Sequence, residues 1–139
     1  MFDQGGKETD GQKLNGLSLA FLGDAVFEIL VREHLLKNGS LPIGELHSLA
    51  VKYVRASAQA HFFDVLEPLL SEEELSALHR GRNASSNHIP KSACAVEYRK
   101  ATGTEALFGW LYLEKKNERM RELFAILLDH LPAETEETK

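Results

Sequence analysis

The chain has a single cysteine, Cys94, among 139 residues, which excludes an internal disulfide and a thiolate zinc site. No segment has the length and apolarity of a transmembrane helix or the layout of a signal peptide. The expectation is a soluble, cytoplasmic protein with no membrane partner. The six histidines, at positions 34, 47, 61, 79, 88 and 130, include no pair three or four residues apart, so a helical zinc motif is absent. There is no His-Asp dipeptide, which weakens a His/Asp-type helical phosphohydrolase, and no Gly-rich phosphate loop ending in Gly-Lys-Ser/Thr. A nucleophilic triad has no support, and no strand-like alternation occurs anywhere.

What is present is helical. With 43% hydrophobic residues the chain can build one core and one domain. Residues 1–13 read as a polar, Gly-rich arm, 14–130 as the folded domain and 131–139 as an acidic tail. Leu17, Phe21, Leu22, Ala25, Ile29 and Leu36 recur at helical spacing, with Gly39 as a stop. Ser40 with Pro42 reads as a cap and first turn, and further helical patterns run up to Pro68. Ser71 and Glu74 form a capping-box pattern opening a helix that stops at Gly81. The stretch "GRNASSNHIPK" reads as a long loop, helix resumes near Ser92, and a last amphipathic helix follows the polar turn at Lys116 and Asn117. An all-α domain of six or seven helices is expected.

Three constellations carry chemistry. In "LAFLGDAVFEIL", Asp24 and Glu28 stand four residues apart and share a helix face. Arg32, four beyond Glu28, makes an ordinary surface pair the simpler account of Glu28. Asp24 has no basic residue within a turn on either side, and a buried carboxylate needs a partner, a hydrogen bond or a cation. In "KATGTEALFGW", Gly103 should cost the helix about 1 kcal/mol, which close backbone packing would explain. Glu105, set against Ala106, Leu107 and Phe108, is expected to enter the interior and meet Asp24. Two carboxylates facing one space suit Mg2+, which takes oxygen ligands and keeps several waters.

The third constellation is basic. The net charge of -5 argues mildly against nucleic acid, but between positions 79 and 100 five Lys or Arg stand against one Glu. Local charge decides where a polyanion docks. Arg80 and Arg82 flank Gly81, Asn83 follows, and Lys91, Arg99 and Lys100 lie beyond the loop; Lys52 and Arg55 share a helix face. Singly each is an ordinary surface charge. Together, with few aromatics interleaved for base stacking, they suit a duplex phosphate backbone.

"FLGDAVFE" and "TEALFGWLYL" resemble, in order and separation, the two signature segments of the ribonuclease III endonuclease domain. "IGELHSLAVKYVRASAQA" is similar to the helices between them, and the resemblance covers about residues 14 to 130. Because no double-stranded-RNA-binding domain follows, the chain most resembles the family's short bacterial branch, Mini-ribonuclease III. The resemblance implies an all-α homodimer that cuts double-stranded RNA with Mg2+, its substrate the base-paired stalk of precursor large-subunit ribosomal RNA. Asp24 and Glu105 match the family's metal-binding catalytic acids. Larger members carry a glutamate where this chain has Ala20 and an aspartate where it has Thr102, leaving helper roles for Glu28 and Thr102. Arg80, Arg82, Asn83 and Lys91 would hold phosphates, with Lys52 and Arg55 beside them. The alternative is a non-catalytic relative serving as an RNA-binding or ribosome-associated module. The two missing carboxylates motivate it, and the retained pair argues against it.

Overall fold

A computed structural model describes residues 10–11, 14–84 and 94–132. It contains helices α1 (Gly16–Leu35), α2 (Ile43–Val54), α3 (Ala56–Leu66), α4 (Glu72–Asn83), α5 (Ala95–Leu113) and α6 (Asn117–Leu128), with a 3-10 turn at Glu67–Leu69. Among the described residues there is no strand. The fold is all-α, as expected.

Helix α5 explains the arrangement. Ala101, Thr102, Gly103 and Thr104 are buried, and so is every residue from Ala106 to Leu111. A helix apolar on all sides is stable only when neighbours surround it, and α1, α3 and α4 all pack on α5. Small residues bring the backbones close. A methyl on Gly23 would collide with the carbonyl of Glu105, and one on Gly109 with the carbonyl of Leu19. α1 and α5 therefore cross in direct backbone contact. Gly103 answers the anomaly of a glycine within a helix, since a Cβ there would lie 2.8 Å from the Leu78 carbonyl and 2.9 Å from the Phe63 ring. Its helix runs through without a break.

Aromatic side chains fill the space beside this crossing. The Phe27 ring meets Phe108 at 5.2 Å and Phe124 at 5.6 Å edge-on, the geometry that aromatic quadrupoles favour. Helix α6 is tied to α4 by charge: Arg119 Nε donates to Glu74 Oε2 at 2.8 Å and its Nη2 to Glu74 Oε1 at 2.9 Å. That guanidinium holds the buried Glu74 carboxyl below its usual range.

Helix ends follow local chemistry with some revisions. Asn15 caps α1 by accepting from the Ser18 N–H at 2.8 Å, and the Ser71 and Glu74 capping box is complete. Pro42, not Ser40, is the residue before α2, and it makes no side-chain cap. Helix α4 continues past Gly81 to Asn83, because Gly81 packs on α5 instead of turning the chain. Helix α5 begins at Ala95 after an extended Cys94, and Ser92 lies outside the described residues. Arg55 adopts an extended conformation at the break between α2 and α3, so it does not continue the helix face of Lys52.

Candidate active site

The α1 and α5 crossing places Asp24 directly after Gly23 and Glu105 on the facing turn. The two side chains share a hydrogen bond, and Glu105 titrates at about 8, pushed up first by burial and then by the charge and hydrogen bond of Asp24. Ionising Glu105 in this setting is costly, so without metal it keeps its proton at neutral pH.

The burial is unequal, contrary to the expectation for Asp24. Asp24 lies on the exposed side of α1, and Glu105 supplies the partly buried member. The apolar residues around Asp24 do not enclose it, because several of them face outward: Phe21 is 85% exposed and Ile29 63%. Periodicity identifies the apolar residues of this helix but not which side meets the core.

The residues nearby complete the chemical picture. Ala20, one turn before Asp24, is buried and contributes only a methyl. Thr102 is also buried, and its hydroxyl donates to the Tyr98 carbonyl in its own helix at 2.9 Å. Glu28 accepts from Arg32 Nε at 3.0 Å, the simple surface pair. Among the described residues no group of three or more His, Cys, Asp or Glu is placed to hold a metal. A cation at this crossing would have Asp24 and Glu105 as its carboxylate donors. The pair fits Mg2+: its donors are oxygens, and a hard cation would offset the Asp24 charge that helps push Glu105 up.

The expected phosphate contacts divide. Arg80 is part-buried, and its Nη1 donates to the carbonyls of Gly11 at 3.2 Å and Leu14 at 2.8 Å. That arginine straps the chain before α1 onto the domain, with Gly11 packed against Trp110, and it is a poor candidate for RNA. Arg82 and Asn83 occupy the last turn of α4, where Arg82 Nε donates to Asn83 Oδ1 at 3.0 Å. With Arg99, Lys100 and Val96 they line an open cleft of about 390 Å³. Lys100 also pairs with Asp64 at 2.9 Å. Lys52 is exposed on α2, Arg55 is half-buried, and Lys91 lies outside the described residues.

Gln59, not singled out in the sequence, and Thr104, notable there only as a poor helix former beside Gly103, enter here. The buried Thr104 hydroxyl donates to the Gln59 carbonyl at 2.8 Å, and the Gln59 side chain is itself buried. Their partnership spans 45 positions, which no local pattern could signal.

Residues 17–116 match the sequence profile of the Ribonuclease III domain, a span holding the α1 and α5 crossing. The chain belongs to the ribonuclease III family. Family membership makes it an endoribonuclease. It is similar to the Mini-ribonuclease 3 of Desulfitobacterium hafniense, 49% identical over 92% of this chain and 80% of that protein. The Mini-ribonuclease 3 of Symbiobacterium thermophilum is 45% identical over 83% of this chain and 88% of its own. A crystal structure of a Fusobacterium nucleatum protein superposes with a TM-score of 0.79 at 31% identity, covering 87% of this chain and 99% of that one. Among the described residues no helix is long and apolar enough to cross a membrane.

Proposed function

We propose that this chain is a Mg2+-dependent endoribonuclease that hydrolyses phosphodiesters in double-stranded RNA, works in the cytoplasm as a homodimer and matures precursor 23S ribosomal RNA. The carrying observation is the Asp24 and Glu105 pair, two carboxyls brought together at a helix crossing in a ribonuclease III chain. The name Mini-ribonuclease 3 borne by its relatives supports the RNA substrate.

When bound, Mg2+ supplies Lewis acidity, making water easier to deprotonate and offsetting charge on phosphate oxygens. Asp24, on the exposed side of α1, presents the site to the RNA backbone. Glu105, once deprotonated, would hold the metal together with Asp24. Ala20 and Thr102 offer no carboxylate, so water would complete the metal's ligands, with Thr102 and Glu28 as neighbours of the pair. Arg82 and Asn83 would hold backbone phosphates beside the site, joined by Lys91. Lys52 and Arg55 are weaker contacts of the same kind.

The dimer reading rests on α1. Leu17, Phe21, Ala25 and Ile29 repeat every four residues on an exposed stripe beside Asp24. An apolar stripe of this kind marks an association surface, and two-fold pairing would give each strand of a duplex its own site. The second reading, an RNA-binding or ribosome-associated module without catalysis, is favoured by the missing carboxylates at Ala20 and Thr102. The deciding experiment is cleavage of a purified RNA duplex with and without Mg2+, using wild type and Asp24→Asn. Cleavage that needs the metal and is lost in the variant is expected. A wild type that binds the duplex yet leaves it uncut in every divalent metal removes the enzyme reading.

A further inference from the structure

The meeting of Asp24 and Glu105 depends on how α5 is rotated and how far it slides along its own axis. One residue of slip moves a side chain by about 1.5 Å and turns it by about 100°. The glycine contacts limit the slide on the α1 side, since a methyl on Gly23 would collide with the Glu105 carbonyl and one on Gly109 with the Leu19 carbonyl. The apolar side chains on the other sides of α5 are non-directional.

A directional contact lies one residue before Glu105. Thr104 is fully buried, and its Oγ1 stands 2.8 Å from the Gln59 carbonyl on α3, against 3.3 Å from the Lys100 carbonyl in its own helix. A helical threonine can satisfy its hydroxyl on its own preceding turn; here the shorter bond reaches across to another helix. α3 holds Phe62, Phe63 and Leu66 in the core, and Phe62 also reaches Phe27 of α1, with ring centres 6.1 Å apart.

We propose that Thr104 is a positioning residue whose hydrogen bond to Gln59 fixes the register of α5 and so aims Glu105 at Asp24. This inference rests on the reading of that pair as the metal-binding site. Threonine here pins the position of its neighbour and touches no substrate.

Thr104→Val preserves shape and removes the hydroxyl, whereas Thr104→Ser preserves the hydroxyl and removes a methyl. In the full chain, Thr104→Val is expected to lower kcat about tenfold, because small misplacements of catalytic groups are costly, with KM for duplex RNA unchanged. Calorimetric titration of the RNA-free protein with Mg2+ should give weaker binding, while Thr104→Ser stays within about threefold of wild type on both measures. If Thr104→Val does not fold, Thr104→Ala takes its place with the same expectations. Wild-type kcat and Mg2+ binding in the folded hydroxyl-less variant overturn the proposal. So does an equal loss in Thr104→Ser, or a loss confined to KM. Asp24→Asn separates the two readings: no effect from that change removes the site itself, whereas its expected loss beside an intact Thr104→Val removes only the pin.

Discussion

Replacing Glu105 with glutamine should stabilise the metal-free protein at alkaline pH even as it removes a carboxylate from the site. The folded carboxyl titrates at about 8, against 4.5 for the ordinary side chain. Between those values the folded chain holds a proton that the unfolded chain has lost, so stability falls as pH rises. The favourable contribution is complete below 4.5 and gone above about 8. At 1.36 kcal/mol per pH unit that gap has a ceiling of about 5 kcal/mol. Glu105 keeps partial access to solvent, which screens the ionised pair, and about 2 kcal/mol is the expected measured loss. The glutamine amide fills the same space, stays neutral and can donate to Asp24. In EDTA, urea unfolding at fixed protein concentration should find Glu105→Gln more stable than wild type by about 2 kcal/mol at pH 9, with a much smaller difference at pH 4. Added Mg2+ should reverse the order, since it stabilises only the chain that binds it. A difference that is the same at both pH values, or a variant less stable than wild type at pH 9 without metal, refutes the reasoning.

Arg82→Ala should weaken RNA binding and reduce its salt slope by about one unit, with the melting temperature unchanged; an unaltered slope in filter binding takes Arg82 out of the interface. Phe21→Glu should give a monomer by light scattering with its helicity intact, and a persistent dimer would place the contact elsewhere. Arg119→Ala leaves the buried Glu74 carboxyl without its main partner and should cost about 3 kcal/mol in urea unfolding. Because Arg119 lowers the Glu74 pKa, that cost belongs to neutral pH and shrinks as Glu74 protonates in acid. Lys115 adopts φ 58° in the turn closing α5, and Lys115→Gly should raise stability by about 1 kcal/mol; an unchanged urea midpoint would show that no strain is stored there.

Much of the fold could be read from the sequence because it is written in local terms. The capping box at Ser71 and Glu74 and the helical recurrence of apolar residues need only near neighbours. Gly103 was legible as a site of close packing because a glycine within a helix costs stability that only packing restores. What escaped was set by distant partners. Asp24 was expected in an enclosed setting, yet Phe21 and Ile29 beside it face outward, and apolar spacing is identical for a core face and an association face. Arg80 looked like a surface cation, and only the path of the chain before α1 brings the Gly11 and Leu14 carbonyls to it. Thr104 stood out only as a poor helix former, because its partner is on another helix.

The central position of α5 has a consequence for how the protein opens. Loosening it would separate it at once from α1, α3 and α4, so it should give way only when the whole domain unfolds. Glu105 rides on that least yielding element, while Asp24 rides on a helix with one side in solvent. Substrate entry therefore has no use for breathing of the crossing; a duplex must be accommodated at the surface, against a carboxyl pair whose separation is already settled before it arrives.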